Sequence, residues 1–405
     1  MYKNLVNKYF FILFALLPIS IIVGPTISLI NVLIISLSFL IYVTIINEWS
    51  WIRDKRIQLL FILYLYLIFN SFAGIELSNS INRNFGFIRF IIFFAAFNYF
   101  FFNYKNFHKI FIIWTIAIIV VTLDIYYESI MGSNIIGHGE GARIYSFFSK
   151  PVAGSFMLGF FLLIVGFLFE FFKNKNYLIF ILSIIFFVSI LITGERSNTI
   201  KAFLAFMIFY VFIKNFSSKQ KVISMIVFLF LTFIISVNSY WIKHRYVNQF
   251  LIHFKTKDQI VNYYNNSIYI NLYRSGIEVF KKYPYFGVGN KNYGFETCWD
   301  KETYNPKYKC STHPHQIYFE LLAEHGILGT IIILFIFFKL FFDLLRKINI
   351  ERNKIQFASF IYMLTVFAPL LPSGAFFSDN LLTLFFINFS LLFCSNKASN
   401  IFYKK

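Results

Sequence analysis

The sequence predicts an all-α polytopic membrane protein with about twelve transmembrane helices and one long, partly helical outer loop. Three observations predict this class. Of the 405 residues, 58% are hydrophobic and only 14% are charged, about half the charged fraction of a soluble domain. A soluble core could not enclose 59 Phe residues with so few charges left for the surface. The apolar stretches are long and rich in Phe, Ile and Leu, which is typical of membrane helices and not of alternating barrel strands.

Twelve apolar segments have the length of a membrane span, for which a helix needs roughly 17–25 apolar residues across about 30 Å of hydrocarbon. The predicted spans occupy roughly residues 5–23, 27–46, 57–75, 86–103, 109–127, 152–172, 177–193, 198–213, 221–239, 327–345, 355–373 and 380–396. The chain then divides into nine spans over 1–239, a polar loop over 240–326, and three spans with a tail over 327–405.

The distribution of Lys and Arg predicts the orientation. If the N-terminus lies inside, nineteen cationic residues fall on the inner face and four in the short outer loops, which is the bias typical of cytoplasmic loops. Both termini are therefore predicted to be cytoplasmic. The inner set is Lys3, Lys8, Arg53, Lys55, Arg56, Lys105, Lys109, Lys173, Lys175, Lys214, Lys219, Lys221, Arg346, Lys347, Arg352, Lys354, Lys397, Lys404 and Lys405. The outer set is Arg83, Arg143, Lys150 and Arg196.

This distribution also accounts for most of the formal net charge of +19. A nucleic-acid ligand is not needed to explain the charge, and we predict none. Three polar regions remain on the predicted outer face, over 128–151, 194–197 and 240–326. Connections longer than about 12–15 residues are usually functional, so we expect the chemistry on this face.

Three arginines of the outer face are candidate binding residues. Arg196 lies beside Glu195 in TGERSN, in the break between two predicted spans, where a charge often marks a substrate site. Arg143 lies in GARIYSFFSKP, and Arg274 lies on an amphipathic helix predicted over 260–282. Each arginine can also be explained without a functional role. Arg196 could snorkel or pair with the adjacent carboxylate, Arg143 could snorkel, and Arg274 could be solvated. Together they suit a diphosphate on a lipid carrier, because guanidinium groups bind phosphate oxygens bidentately and never lose their charge.

A polar segment with two histidines leads into the tenth predicted span. His313 and His315 flank Pro314 in STHPHQIYFELLAEHGILG. A helix N-terminus is expected to lower the pKa of such a histidine, so that a neutral imidazole can accept a proton from a hydroxyl. A zinc site is the alternative, but HxH alone is weak, and Glu320 and Glu324 do not supply a familiar ligand spacing.

Sequence motifs for metals and nucleotides are missing. The outer loops contain no paired-Asp motif of the kind that holds Mg²⁺ or Mn²⁺ on a sugar diphosphate, and the chain has no P-loop. We therefore predict no metal and no other cofactor, and expect arginines to neutralise any diphosphate. The GVG of 287–289, after Pro284, is expected to form a turn, and His325, next to Gly326, is expected to be structural.

Two of the three cysteines lie in the long loop. Cys298 and Cys310 are twelve positions apart. In an oxidising compartment we expect them to form a disulfide that closes the segment before the histidines. Cys394 lies in the last predicted span and is expected to serve packing only.

Three segments occur in the order TGERSN, YRSGIEVFKKYPYFGVGNKNYGF and HPHQIYFELLAEHGILG. Over about residues 190–330 they resemble the O-antigen ligase superfamily, which also contains O-antigen polymerases and protein O-oligosaccharyltransferases. The resemblance implies a metal-independent, inverting glycosyltransferase of the bacterial inner membrane with its long loop in the periplasm. It also implies an undecaprenyl-pyrophosphate-linked glycan as donor.

The resemblance also assigns roles by motif position. It implies that Arg196 and Arg274 hold the pyrophosphate and that His315 is the general base for the acceptor hydroxyl. Many members have Asn where this chain has Gln316, which is a mild departure. The residues predicted to bind substrate are Arg143, His313 and Gln316.

The predicted acceptor is lipid A–core, which would make the protein an O-antigen ligase. An O-antigen polymerase, with the same donor and a second lipid-linked glycan as acceptor, is the alternative within this class. A polytopic transporter or flippase with a similar helix count is the alternative from another class, but its charges would line a path through the bilayer midplane. Apart from donor and acceptor, membrane lipids are the predicted partners.

Overall fold

The computed structural model describes residues 2–103, 105–139, 143–172, 174–239, 242–299, 305–347 and 353–403. These residues form α-helices, short 3₁₀ or π turns and loops, and none of them lies in a β-strand. The predicted all-α class is therefore confirmed. Of the cations counted for the orientation, Lys173, Arg352, Lys404 and Lys405 lie outside the described residues.

Each predicted span overlaps a helix or, for the first span, the bent pair α1 and α2. The helices are α1 (Tyr2–Ala15), α2 (Leu17–Val23), α3 (Pro25–Ile45), α4 (Lys55–Ala73), α5 (Leu77–Phe85), α6 (Ile88–Asn103), α7 (Ile110–Met131), α8 (Ala153–Phe171), α9 (Asn176–Ile192), α10 (Arg196–Phe212), α11 (Ser218–Asn238), α12 (Lys257–Asn266), α13 (Ile268–Lys282), α14 (Ile317–Lys347), α15 (Lys354–Val366) and α16 (Asp379–Cys394).

Among the described residues, seven helical stretches are long and apolar enough to cross a membrane. The α1–α2 pair, bent by 42°, would make an eighth. A multi-pass membrane protein is therefore confirmed. α9, α15 and α16 are also apolar but shorter, with 17, 13 and 16 residues. The count of twelve spans, the three-part division of the chain and the orientation stay predictions.

Aromatic side chains pack the helices together. Phe90 of α6 stacks on Phe386 of α16 with ring centroids 5.0 Å apart, and Phe111 of α7 stacks on Phe167 of α8 at 5.1 Å. Such ring pairs contribute roughly 0.5–1.5 kcal/mol beyond the area they bury. α8 runs through the centre, with 83% of its most apolar stretch buried, whereas α11 lies at the periphery with 11% buried.

The connection between α15 and α16, residues 367–378, is irregular and packs against other helix ends. Ser197 Oγ at the start of α10 donates to the Pro372 carbonyl. The Ser373 N–H donates to the His315 carbonyl, just before α14, over 2.8 Å. Non-helical backbone beside membrane helices is tolerated where it is buried in protein or lines a cavity, and this connection does line one.

The amphipathic helix predicted over 260–282 is two helices in the structure. α12 ends at Asn266 and α13 begins at Ile268. Ser267 between them has an extended backbone (φ −62°, ψ 127°), so the helix is interrupted there. The prediction of one helix is therefore wrong. The physical reason is the run NNS over 265–267, because short polar side chains compete for backbone hydrogen bonds and favour helix ends.

The tenth predicted span is only the second arm of α14, which is kinked at Gly326 (φ 63°, ψ −171°). The GVG segment docks at this kink. The Gly289 N–H donates to the Glu324 carbonyl (2.9 Å), and the Ile327 N–H donates to the Pro284 carbonyl (2.8 Å). The 284–289 segment therefore provides hydrogen-bond partners for the backbone groups that the kink leaves unpaired. These bonds hold the first arm of α14 in place.

Candidate functional site

A cavity of about 550 Å³ lies where the N-terminal ends of α8, α10, α14 and α16 meet the C-terminal end of α15. Residues of the segment after α11, of α12, of α13 and of the 367–378 connection also line it. The cavity is therefore at one end of the bundle, the end that the charge distribution predicts to face outward. The sequence candidates that line it are Arg143, Arg196 and His315.

Two arginines from separate segments hold the same residue, Gln249. Arg196, the first residue of α10, donates to the Gln249 carbonyl (3.2 Å) and lies 5.2 Å from the centre of the Phe250 ring. Arg245, which the sequence reasoning missed, donates to the Gln249 side chain (2.5 Å) and to the Gly194 carbonyl (3.2 Å). Within the described residues, the buried Nε of Arg245 has no hydrogen-bond partner.

Arg143, Arg196 and Arg245 all line the cavity, and we call them the arginine wall. Burial lowers the pKa of Arg245, and the charges of Arg196 and Arg143 lower it further. In the part of the chain that the structure describes, none of the three guanidinium groups forms an ion pair. The cavity therefore carries positive charge that the protein does not neutralise.

Glu195 lies in the cavity wall but is engaged elsewhere. Its carboxylate accepts from the Gly154 N–H (2.7 Å) and from the Asn198 amide (2.6 Å). Burial raises the pKa of Glu195 to about 7, although these hydrogen bonds and the charge of Arg143 oppose the shift. The carboxyl group is therefore more easily protonated than that of an ordinary glutamate, and its hydrogen bonds direct it toward Gly154 and Asn198. The pairing of Arg196 with Glu195 is not present in the structure.

His315 lies in the wall two residues before the start of α14, with a left-handed backbone (φ 59°). A positive φ is uncommon for a residue other than glycine and is often found at functional sites. Burial lowers the pKa of His315 and the charge of Arg143 lowers it further, while a hydrogen bond to the Ser373 backbone opposes the shift. The imidazole is therefore neutral at pH 7 and can accept a proton. The direction agrees with the sequence prediction, but burial, not the helix N-terminus, is the main cause.

His313 and Gln316 support the segment that holds His315. The rings of His313 and His315 lie 3.9 Å apart, and the Thr312 hydroxyl lies 3.0 Å from Nδ1 of His313. Burial lowers the pKa of His313 to about 3. The Gln316 side-chain oxygen accepts from the N–H groups of the second and third residues of α14 (2.8 and 3.1 Å), which caps this helix. His313 and Gln316 lie outside the cavity lining, and their contact with substrate stays a prediction.

Arg274 is not part of the cavity wall in the structure. Its guanidinium group lies 4.4 Å from the centre of the Tyr264 ring, and it donates to the Asn271 side chain over 3.3 Å. Tyr269 and Tyr273, on the same helix, do line the cavity. Arg274 is therefore next to the wall, and its contact with a diphosphate stays a prediction.

Lys201 is a second cavity residue that the sequence reasoning missed. It lies inside the eighth predicted span and is 5% exposed. An ionisable residue inside a membrane helix is by itself a reason to suspect a functional site, so the sequence does contain this signal. Arg245 has no such signal, because it belongs to the long polar loop, where cations are common.

An acidic residue of α14 binds the backbone of the 367–378 connection. Glu320, considered above as a zinc ligand, accepts from the Phe376 N–H over 2.9 and 3.1 Å. His325 is fully buried against Phe377, at a ring distance of 5.2 Å, as expected of a structural residue. Among the described residues, no three His, Cys, Asp or Glu side chains are grouped so that they could hold a metal ion.

A disulfide joins Cys298 to Cys310, with their Cα atoms 4.7 Å apart, as the sequence predicted. The bond links the turn at Phe295–Trp299 to the segment that leads into the histidines. Cys394 is buried and has no disulfide partner. The polar segment before His315 is therefore covalently tied to the loop that docks on α14.

A family model described as O-antigen ligase matches residues 181–334, which supports the resemblance to the O-antigen ligase superfamily. The match contains Arg196, Arg245, Arg274 and His315 but not Arg143. It supports a glycosyltransferase of the O-antigen ligase or polymerase type in general. No curated protein matches the chain.

Proposed function

We propose, on the basis of the O-antigen ligase domain over 181–334, that this chain moves a glycan from an undecaprenyl-pyrophosphate carrier to a hydroxyl of lipid A–core. The proposed protein is an O-antigen ligase, an inverting glycosyltransferase that needs no metal. Its site would face the periplasm from the bacterial inner membrane, with both termini in the cytoplasm.

The arginine wall is the observation that supports this proposal most directly. Three guanidinium groups line one cavity, and none of them has a carboxylate partner among the described residues, so an anion with several charges is the complementary ligand. Donors fixed in place stabilise the charge that develops on a departing diphosphate. The same cavity has apolar side chains, among them Leu158, Tyr362 and Leu381, which suit the first units of an isoprenoid chain.

His315 is the proposed general base. The acceptor hydroxyl gives its proton to the neutral imidazole while its oxygen bonds to the anomeric carbon, opposite the diphosphate. The bond between the anomeric carbon and the diphosphate oxygen breaks, and its electron pair leaves with undecaprenyl diphosphate. The arginine wall stabilises that leaving group. A single displacement inverts the anomeric configuration.

The remaining candidates take lesser parts in this scheme. Arg274 is proposed to contact the pyrophosphate as well, because its helix supplies Tyr269 and Tyr273 to the cavity wall. For His313 and Gln316 we propose that they position His315, since one packs on its ring and the other caps the helix behind it.

The test is transfer by purified protein in nanodiscs with EDTA and no ion gradient. The substrates are an undecaprenyl-pyrophosphate-linked glycan and lipid A–core. We expect extended lipid A–core from the wild type and none from His315→Ala. The control His138→Ala removes an exposed imidazole and should leave the product unchanged. Normal product from His315→Ala, or loss of wild-type product with EDTA, would contradict the scheme.

The lipopolysaccharide of a strain that lacks this protein distinguishes the ligase acceptor from the polymerase acceptor. Loss of all capped lipopolysaccharide on a gel would support the ligase, whereas caps of a single repeat would show the polymerase reaction, with the same donor. A wild-type protein that forms no product but moves lipid-linked glycan across a bilayer would instead be a flippase.

A further inference from the structure

Lys201 is a buried cation to which the proposed reaction gives no role. It follows Arg196 by five residues on α10, which is about 7.5 Å along the helix axis at 1.5 Å per residue. It is 5% exposed and lines the same cavity as the arginine wall. The cavity therefore has cations at two depths.

The protein uses only part of the hydrogen-bonding capacity of the Lys201 ammonium group. Nζ donates to the Pro372 carbonyl over 3.3 Å, although an ammonium group has three N–H donors. Ser197 Oγ donates to the same carbonyl, so this acceptor is shared. Within the residues that the structure describes, Lys201 forms no ion pair.

Another buried cation of the bundle has a carboxylate partner. Arg89 is 7% exposed, pairs with Asp379 at 2.6 Å and donates to the Gly86 carbonyl at 2.7 Å. Charges inside membrane proteins are normally retained with partners of this kind or at functional cavities. Because Lys201 has no carboxylate partner in the described part of the chain and borders the cavity, we expect its anion to come from a ligand.

The neighbours of Lys201 indicate which part of a ligand it would meet. Ile200, Leu158 and Tyr362 line the cavity around this depth and are suited to a hydrocarbon chain, whereas the arginine wall surrounds the polar outer part. A lipid diphosphate that enters with its chain on the apolar side would bring its lipid-side phosphate nearest to the ammonium group.

We propose that Lys201 binds the lipid-side phosphate of the diphosphate while the arginine wall binds the sugar-side phosphate, an inference that rests on the proposed function. A polyprenyl monophosphate has only the lipid-side phosphate, so it can reach Lys201 but not the arginine wall. Lys201 thus anchors the phosphate that both kinds of carrier share, and the arginine wall distinguishes diphosphate carriers from monophosphate carriers.

The test measures the binding of farnesyl diphosphate and farnesyl monophosphate to the full-length protein in detergent. We expect the wild type to bind the diphosphate at least about 10-fold more tightly, the usual effect of one charge-assisted hydrogen bond. In Lys201→Met the affinities for both ligands should fall by about 10-fold, whereas Arg245→Gln in the arginine wall should lower the diphosphate affinity and change the monophosphate affinity by less than about 2-fold. Lys201→Arg keeps the charge and should keep most of both affinities.

The matched control is Lys221→Met on α11. It removes an exposed ammonium group that donates to the Val211 carbonyl (2.6 Å), and it should change neither affinity. Unchanged affinities in Lys201→Met, or a loss for the diphosphate alone, would overturn the role of Lys201 and leave the transfer reaction intact. Lys201→Gln serves for the same comparison if Lys201→Met does not fold. A wild type that transfers no glycan and binds neither ligand would instead contradict the proposed function.

Discussion

The Ser373 N–H donates to the carbonyl oxygen of His315 over 2.8 Å and joins the α15–α16 connection to the proposed general base. The Ser373 backbone also hydrogen-bonds to the His315 side chain and opposes the lowering of its pKa. A backbone partner of this kind fixes the orientation of an imidazole ring. The position of the base therefore depends on three helices, α14, α15 and α16.

The pH dependence of transfer should report the lowered pKa of His315. The imidazole of His315 must be neutral to act as the base, and its pKa lies below the ordinary 6.5. We therefore expect kcat/KM to stay constant as the pH falls to 6.5 and to decline only below that value. In Arg143→Gln the acid limb should move to higher pH, because the charge of Arg143 lowers this pKa. A wild-type decline centred above pH 6.5, or no movement in Arg143→Gln, would contradict the assignment.

Arg245→Gln should weaken the use of the donor. Loss of one charged donor to phosphate costs roughly 1.5–3 kcal/mol, so kcat/KM for the lipid-linked glycan should fall by about 10-fold or more. Arg245→Lys should keep part of the activity, since it keeps the charge but not the fork geometry. The control Arg346→Gln alters an exposed arginine over the Phe342 ring at the other end of α14 and should have no effect. Equal activity of Arg245→Gln and Arg346→Gln would remove Arg245 from the site.

Gly287→Ala should loosen the docking of the loop on α14. Gly287 has a φ of +69°, and an added Cβ would lie 2.3 Å from the Glu324 carbonyl carbon. Gly132→Ala is the matched control, because Gly132 has a φ of +82° but nothing within 4 Å of an added Cβ. Backbone strain alone costs roughly 1–2 kcal/mol, so Gly132→Ala should lower the unfolding free energy by about that amount and Gly287→Ala by more. Equal thermal midpoints for the two variants would show that the loop is not packed as described.

The disulfide predicts a simple count of reactive thiols. The chain has three cysteines, so unreduced, denatured protein should bind one alkylating group, at Cys394, and reduced protein three. Mass spectrometry gives both numbers. Replacement of Cys298 and Cys310 by Ala should lower the unfolding free energy by roughly 2–4 kcal/mol, as expected for closing a loop of this length. Three adducts before reduction would refute the bond.

The sequence predicted those parts of the site that depend on local pattern. Arg143, Arg196 and His315 were placed on one face from span length and charge bias, and the structure brings them to one cavity. The GVG turn and the helix after the histidines were separate motifs in the sequence. In the structure they are packed together, because the kink at Gly326 and the positive φ of Gly287 allow two backbones to touch.

The other parts depend on tertiary contacts that no local pattern encodes. Arg245 reaches the cavity because the chain after α11 folds back onto Gly194, and the Pro372 carbonyl accepts from α10 although 171 residues separate it from Lys201. Motif position assigns Arg274 to the site, but it directly follows Tyr273, which lines the cavity while Arg274 does not. The side of the helix on which Arg274 lies depends on where that helix begins. The sequence analysis does not predict the break at Ser267 that sets this start.

The short lengths of α15 and α16 have a consequence for the polar backbone between them. With 13 and 16 residues they rise about 20 and 24 Å, less than the roughly 30 Å thickness of hydrocarbon. Most of their residues are buried, so other helices and not lipid tails cover them. Because both helices stop short, the irregular 367–378 connection folds into the protein, where the Pro372 carbonyl accepts hydrogen bonds from Ser197 and Lys201 instead of from water.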